Sequence, residues 1–305
     1  MTQIQRAHLS LIGITLIFGL HYVVAKSMMP EFLTPMQLIF IRLLGGFVLF
    51  WGFQKLFVHE KVDRKDLLKL AICGALGFAL NQGLFYEGLN ITTPFDASVI
   101  HVLNPVLVMI FAFFLIGEKI TRNKIFGIML GASGALLLVF FGRTAGSGEH
   151  SSIGNLLIVL NMVFYALYLV VLKPLTLKYH TSTILKWVSL FGFLFILPFS
   201  VKPALSIHFG TFTPMAWISL AFIVIFCTFL AYLFINFALK RVSPSVVSYY
   251  NYLQPLIAAF SSVSIGAEKI TWIKIVAALL IFSGVWVVTR QKKIPVSSEQ
   301  VTEGQ

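Results

Sequence analysis

Two polar stripes recur within apolar parts of the sequence, and a proline directly follows each stripe. The stripes with their prolines are Ser98, His101, Asn104 and Pro105, and then Ser248, Asn251, Gln254 and Pro255. Polar residues at i, i+3 and i+6 share one face of a helix, where they can hydrogen-bond a polar solute. Each proline is expected to kink its helix, because it removes a backbone hydrogen bond. The favoured interpretation is a polar pathway between the two helices, and the alternative is that the stripes hold helices together.

The composition indicates that a lipid bilayer surrounds the chain. Of its 305 residues, 58% are hydrophobic and 11% are charged, and the mean hydropathy is +0.91. A soluble domain of this length could not bury so much apolar surface. The net charge of +12 does not predict binding to nucleic acid, since the basic residues lie at the ends of apolar runs, as they do in membrane proteins.

The apolar runs predict an all-α integral membrane fold with ten transmembrane helices. A spanning helix needs about 20 mostly apolar residues. The predicted spans are 8–28, 34–57, 66–88, 93–116, 123–141, 153–173, 181–199, 213–239, 243–266 and 272–290. Most Lys and Arg residues fall on one side if both termini are cytoplasmic, so the positive-inside rule favours this orientation in the cell (inner) membrane. Residues 291–305 are expected to form a disordered cytoplasmic tail.

The chain contains an internal duplication. The two stripes lie 150 residues apart, and the same register relates Glu118–Thr121 to Glu268–Thr271. Ungapped self-similarity of this length indicates a repeat. The predicted halves are 1–142 and 151–290, with five helices each. An odd number of helices inverts the second half relative to the first, an architecture typical of alternating-access transporters with a central substrate site.

Four stretches resemble the EamA type of the drug/metabolite transporter superfamily. They are FGLHYVVAK at Phe18–Lys26, FIRLLGG at Phe40–Gly46, the run Ala97–Thr121, and the run Ser248–Thr271. The resemblance covers about residues 8–290, although Phe18 replaces a common tryptophan and Ala267 a glycine. It implies a ten-helix inverted-repeat carrier that moves small organic solutes, often outwards. It also implies that the first four helices of each half surround the cavity, while the fifth lies at the periphery.

Further polar and aromatic residues extend the predicted substrate pathway. The complete predicted set is His21, Asn81, Gln82, Tyr86, Ser98, His101, Asn104, Tyr165, Tyr168, Tyr232, Ser248, Asn251 and Gln254. Tyrosine provides an apolar wall with a hydroxyl group, which suits small organic solutes. His21 and His101 could carry protons, but a hydrogen-bonded pathway wall is the favoured interpretation. Neither has Cys, Asp or Glu neighbours at ligand spacing, so no metal and no cofactor are expected.

Charged residues near the predicted outer face are candidates for a gate or for coupling to protons. They are Lys26, Arg42, Glu87 and Asp96. Asp96 is better explained as part of a helix start with Thr93 and Pro94, and Lys26 could extend its amine to the membrane interface. Arg42 lies about two turns inside its span, where it needs a partner or water, so pairing in an outer gate is favoured for it.

Glycines at helical spacing predict close helix packing. Gly127 and Gly131 could form a dimer contact, but packing within the chain is the favoured interpretation. The chain is therefore expected to be a monomer or a homodimer.

The expected function is secondary transport, with export of a small organic metabolite or drug by alternating access. A lipid flippase or a channel-like facilitator on the same scaffold is the alternative. An enzyme is not expected and no catalytic residue is assigned, because H-E-x-x-H and G-x-S-x-G motifs are absent from the sequence. The driving force is left open between proton antiport and facilitated diffusion.

Overall fold

A computed structural model describes residues 1–58, 60–92, 94–141, 152–254, 257 and 272–289. The described residues form helices joined by short loops. The helices are α1 (Gln3–Met28), α2 (Pro35–Phe57), α3 (Arg64–Ile91), α4 (Pro94–Ile100, His101–Leu103 and Asn104–Ile116), α5 (Arg122–Phe141), α6 (Ser152–Lys178), α7 (Thr181–Ala204), α8 (Pro214–Leu239), α9 (Pro244–Tyr249 and Tyr250–Leu253) and α10 (Trp272–Thr289).

Six of these helices are long and apolar enough to cross a membrane, namely α1, α2, α3, α6, α7 and α8. A turn of 3-10 helix interrupts α4, and much of the predicted ninth span lies outside the described residues. Several helices extend beyond the predicted apolar runs, as α7 does to Ala204 and α6 to Lys178.

Threonine and serine caps determine where several helices begin. The hydroxyls of Thr2, Thr34, Thr213 and Ser243 accept hydrogen bonds from backbone N–H groups in the first turn. A proline follows at the first helical position of α2, α8 and α9, where its fixed φ suits the helix and the missing N–H costs nothing. The predicted cap at Thr93 lies outside the described residues, and α4 begins at Pro94.

The two halves share their departures from regular α-helix. Segments of π-helix lie at Ala75–Leu80 in α3 and at Phe222–Leu230 in α8, and the first corresponds to 225–230 after a shift of 150 residues. Turns of 3-10 helix at His101–Leu103 in α4 and at Tyr250–Leu253 in α9 follow the same register. Such irregular turns are uncommon and often accompany functional sites. The duplication seen in the sequence is therefore also present in the backbone.

The fifth helix of each half packs against the other through small residues. A Cβ atom on Gly134 of α5 would lie 2.7 Å from the carbonyl oxygen of Ala277 in α10, and one on Gly284 would lie 2.7 Å from that of Gly127. A Cβ atom on Gly131 would lie 2.6 Å from the ring of Tyr252. Gly127 and Gly131 thus pack within the chain, which confirms the favoured interpretation of these glycines.

A second close approach joins α3 to α7 at Gly74, and it predicts that Gly74→Ala is less stable than Gly52→Ala. Replacing Gly74 with Ala is expected to lower stability by about 1–3 kcal/mol, because overpacking forces backbones apart. The new Cβ would lie 2.8 Å from both the nitrogen of Gly192 and the carbonyl oxygen of Val188. Gly52→Ala in α2 is the matched control, since nothing lies within 4 Å of its Cβ position. Alanine should there add up to about 1 kcal/mol of helix stability. The measurement is the thermal unfolding midpoint of each purified variant in one detergent, and equal midpoints would contradict this packing.

Candidate functional site

A cavity lies among α1, α2, α3, α4, α6, α8 and α9, with a volume of about 50 Å³. Sites that bind small organic molecules usually have volumes of about 300–1,000 Å³, so this cavity must widen before it can hold an organic solute. The pathway residues predicted from the sequence that line it are His21, Asn81, Gln82, His101, Tyr165, Tyr232, Asn251 and Gln254. Both halves of the chain contribute to the wall, whereas α5 and α10 contribute no lining residue among those described.

The other predicted pathway residues are buried behind this wall. They are Tyr86, Ser98, Asn104, Tyr168 and Ser248, each at most 4% exposed. The Asn104 amide nitrogen contacts the sulfur of Met162 at 3.6 Å, and the Ser248 hydroxyl donates to the carbonyl of Ser245. Each polar stripe is therefore divided between the cavity wall and the packed interior, and its role as a pathway stays a prediction. His101, Asn251 and Gln254 reach the cavity, while Asn104 and Ser248 make hydrogen bonds within the packed helices.

Of the two prolines that are predicted to kink their helices, the structure describes only Pro105. Pro105 lies in the first turn of Asn104–Ile116, directly after the 3-10 turn of α4. Pro255 and the side chain of Asp96 lie outside the described residues.

Arg42 lines the cavity, and its guanidinium joins α2 to α3 and α8. The side chain is 1% exposed. Its Nε donates to Thr228 Oγ1 at 2.7 Å, Nη1 donates to the Tyr86 hydroxyl at 2.7 Å, and Nη2 donates to the carbonyl oxygen of Cys227 at 2.9 Å. Both α8 acceptors belong to the π-helical segment Phe222–Leu230. An arginine from the first half is thus held by an irregular turn of the second.

The expected pairing of Arg42 with a carboxylate in an outer gate is not present among the described residues. The guanidinium contacts neutral groups, and Glu87 makes no ion pair with any of the described residues. The reason is helical geometry. Tyr86 points to Arg42, and the next residue of an α-helix points about 100° away, so Glu87 faces another direction.

Lys26 caps a helix in this structure, which differs from both roles considered for it. Its Nζ donates to the carbonyl oxygens of Leu89 and Asn90 at 2.8 Å and of Thr92 at 3.1 Å, at the end of α3. These last carbonyls have no partner within the helix, and they lie at the negative end of its dipole.

The second half repeats this cap. Lys173, 147 residues after Lys26, donates from Nζ to the carbonyl oxygens of Leu239 and Val242 at the end of α8. Leu239 and Val242 lie 150 residues after Leu89 and Thr92. The duplication therefore includes a lysine that completes the hydrogen bonds of the neighbouring helix end.

Two asparagines bind each other's backbone where α3 crosses α6. Asn81 Nδ2 donates to the carbonyl oxygen of Asn161 at 3.1 Å, and Asn161 Nδ2 donates to that of Asn81 at 2.6 Å. Gln82 Nε2 donates to Asn81 Oδ1 and to the Tyr232 hydroxyl, which donates to the carbonyl of Gly77 at 3.2 Å. A belt of polar groups thus joins α3, α6 and α8 along one side of the cavity.

Each π-helical segment contains a backbone carbonyl that accepts a hydrogen bond from a side chain of the cavity wall. The carbonyl of Gly77 in the α3 segment accepts from Tyr232, and that of Cys227 in the α8 segment accepts from Arg42. Gly77 and Cys227 are equivalent in the repeat, since they lie 150 residues apart. In each π-helical segment, the carbonyl at the equivalent position therefore accepts a hydrogen bond from a residue that lines the cavity.

Both cavity histidines make hydrogen bonds within the wall. His101 Nδ1 lies 2.8 Å from the carbonyl oxygen of Ala97, which can only accept, so Nδ1 is the donor. The Tyr86 hydroxyl accepts from Arg42 and also forms a hydrogen bond with His21 Nε2 at 2.9 Å. Both rings therefore belong to hydrogen-bonded walls.

Sequence reasoning missed the apolar part of the wall, which consists of Phe18, Tyr22, Phe85 and Met162. Apolar side chains give no contrast in a chain that is 58% hydrophobic. Helical spacing could have found two of them, since Phe18 and Phe85 lie one turn from His21 and Gln82.

Among the residues described, no three His, Cys, Asp or Glu side chains are grouped so that they could hold a metal ion.

The long apolar helices define a multi-pass membrane protein, and both halves of the chain line the cavity that these helices enclose. The chain belongs to the EamA-like transporter family, which matches residues 5–140 and 152–290, and so to the drug/metabolite transporter superfamily. The family has a ten-helix fold of two inverted repeats, and its members are transporters, not enzymes.

Relatives of the chain are named as transporters. The uncharacterized transporter YetK of Bacillus subtilis is 28% identical over 293 residues, which cover 95% of this chain and 88% of YetK. A probable terminal-alkyne amino-acid exporter of Streptantibioticus cattleyicolor is 25% identical over 194 residues, or 64% of this chain and 63% of the exporter. A solved crystal structure that is 18% identical has the same fold, with a TM-score of 0.72 over 92% of this chain and 98% of that one.

The paired lysine caps predict that Lys26 and Lys173 stabilise the fold by similar amounts. Replacing either lysine with Met is expected to destabilise the protein by about 1.5–3 kcal/mol, as is typical when a charged donor is lost from buried acceptors. Lys69→Met is the matched control, because that side chain is 60% exposed. The thermal unfolding midpoints of the three variants provide the comparison. A midpoint for Lys173→Met equal to that of Lys69→Met would show that the second cap is unimportant.

Proposed function

We propose that this protein exports a small organic metabolite or drug across the cell membrane by alternating access, with both termini in the cytoplasm. The observation that carries the proposal is the cavity, because both halves of the repeat line it with polar and aromatic side chains. In inverted-repeat transporters, the substrate site lies between the repeats.

The cavity wall offers several kinds of contact to a solute. Phe18, Tyr22, Phe85 and Tyr165 provide aromatic surface. Asn161 Oδ1 is buried and has no hydrogen-bond partner among the described residues, so it is available as an acceptor. Aromatic surface combined with polar groups that can orient a solute is typical of sites for small organic ligands.

Two of the contacts between the halves at the cavity are hydrogen bonds between neutral side chains. Asn251 Nδ2 donates to Asn104 Oδ1 at 3.2 Å, and the Tyr22 hydroxyl donates to Gln254 Oε1 at 2.9 Å. Each such bond contributes only about 0.5–1.5 kcal/mol net, so a few of them can break and re-form between two states. This supports a carrier that alternates between conformations.

The direction of transport is supported by the named function of the relative from Streptantibioticus cattleyicolor, an exporter. The excess of Lys and Arg on one side supports the orientation of the termini. The division into halves at 1–142 and 151–290, coupling to protons and the oligomeric state stay predictions.

Counterflow in proteoliposomes tests this function. Vesicles that contain the purified protein are loaded with one member of a panel of amino acids, organic acids, nucleobases and sugars, and uptake of the labelled compound is then followed. A carrier is expected to show saturable uptake that unlabelled solute on the opposite side accelerates, at least for one compound.

The double variant His101→Ala/Asn251→Ala should reduce this uptake at least about ten-fold, equivalent to about 1.4 kcal/mol, because both side chains line the cavity. Leu115→Ala is the matched control, since Leu115 is 55% exposed on the outside of α4. Uptake that rises linearly with concentration would indicate a channel. Lipid scrambling without solute uptake would indicate a flippase.

A further inference from the structure

We infer that Arg42 binds the carboxylate of the transported solute, so that the substrates are small organic acids with an apolar or aromatic body. This inference rests on the cavity being the transport site, as proposed above.

The first reason is an unbalanced charge. Arg42 is 1% exposed, and its contacts among the described residues are the neutral groups of Thr228, Tyr86, Cys227 and His21. The ion pairs in the described part of the chain lie near helix ends instead, as Lys124–Glu118 and Lys178–Asp66 do. A buried cation is costly unless an anion or water balances it. A solute carboxylate would supply that missing charge.

The second reason is the count of hydrogen-bond donors. A guanidinium has five N–H groups, of which one is on Nε and two are on each Nη. Nε donates to Thr228, Nη1 to Tyr86, and Nη2 to Cys227, while the contact of Nη1 with His21 Nε2 is long, at 3.4 Å. One N–H of Nη2 therefore has no acceptor among the described residues. The planar guanidinium of arginine presents its N–H donors as a fork, which is well suited to bind a carboxylate.

The third reason is how Arg42 is held. Three short hydrogen bonds, to Thr228, to Tyr86 and to the backbone of Cys227, fix the guanidinium at the cavity wall. A fixed donor loses less entropy when it binds a ligand. The aromatic rings of Phe18, Phe85 and Tyr165 line the same cavity and would contact the apolar body of such an acid.

A purely structural role is the competing explanation, since Arg42 also ties α2 to α8. The two explanations differ in what they predict for ligands. A structural arginine gives no preference between an acid and its amide, whereas a carboxylate-binding arginine requires the acid.

The test uses the full-length purified protein and three acids with their matched amides. The acids are acetate, phenylacetate and L-phenylalanine, and the amides are acetamide, phenylacetamide and L-phenylalaninamide. The thermal unfolding midpoint is measured against the concentration of each compound at constant ionic strength, with sodium chloride as the simple-anion control. We expect at least one acid to raise the midpoint in a saturable way, while its amide and chloride do not.

Two variants connect this shift to Arg42. Arg42→Gln should weaken the apparent affinity for that acid at least about ten-fold, and Arg42→Lys should weaken it less, because lysine keeps the charge but not the fork. A single symmetric peak in size-exclusion chromatography shows that each variant is folded. Leu115→Ala should retain the wild-type shift.

The inference is wrong if none of the three acids shifts the thermal unfolding midpoint, or if acid and amide shift it equally. It is also wrong if Arg42→Gln shows the same shift as the wild type, or if chloride reproduces the shift.

Counterflow separates a failure of this inference from a failure of the transport function. If a neutral solute shows saturable uptake and Arg42→Gln leaves this uptake unchanged, the transport function stands and the carboxylate site is wrong. If an acid shifts the midpoint through Arg42 but no compound shows counterflow, the carboxylate site stands and the transport function is wrong.

Discussion

Satisfying polar groups within a largely apolar helix bundle is the constraint on which this structure depends, and Arg42 shows it most clearly. A buried guanidinium in the membrane must find its acceptors within the protein. Here the acceptors come from Tyr86 of α3 and from Thr228 and Cys227 of α8. The Cys227 carbonyl belongs to the π-helical segment Phe222–Leu230, so an irregular turn of the second half holds an arginine of the first.

The duplicated features and the unique features have different uses. Lys26 and Lys173 cap equivalent helix ends, and the equivalent carbonyls of Gly77 and Cys227 each accept a hydrogen bond from a side chain, although the donors differ. These pairs support the scaffold in both halves. Arg42 has no such counterpart, since the residue 147 positions later is Ser189, whose hydroxyl donates to the carbonyl of Lys186. A repeat that is symmetric in its scaffold and asymmetric in its charge can give similar motions to both halves while presenting one charged site to a solute.

Periodicity and register in the sequence predict the helical membrane fold and the duplication, because apolar runs of spanning length and an ungapped offset of 150 residues survive in a single chain. Eight of the predicted pathway residues line the cavity, since polar groups stand out against apolar neighbours. The same contrast also selects Tyr168 and Asn104, which are polar but buried between helices and do not line the cavity. The sequence makes Lys26 and Arg42 candidates for a gate or for coupling, but it does not show which backbone carbonyls lie nearby, and each of these side chains donates to at least one such carbonyl.

Access to the cavity from each side of the membrane is the most direct measurement of whether it is the transport pathway. Met162 lines the cavity and is 2% exposed, so Met162→Cys places a thiol there in a chain whose buried Cys73 and Cys227 are replaced by Ala. A membrane-impermeant thiol reagent is then added to one side of the membrane at a time. Alternating access predicts labelling from either side, and protection from both sides by a saturating transported solute. Labelling from one side only, or labelling that no transported solute prevents, would contradict the assignment of this cavity as the pathway.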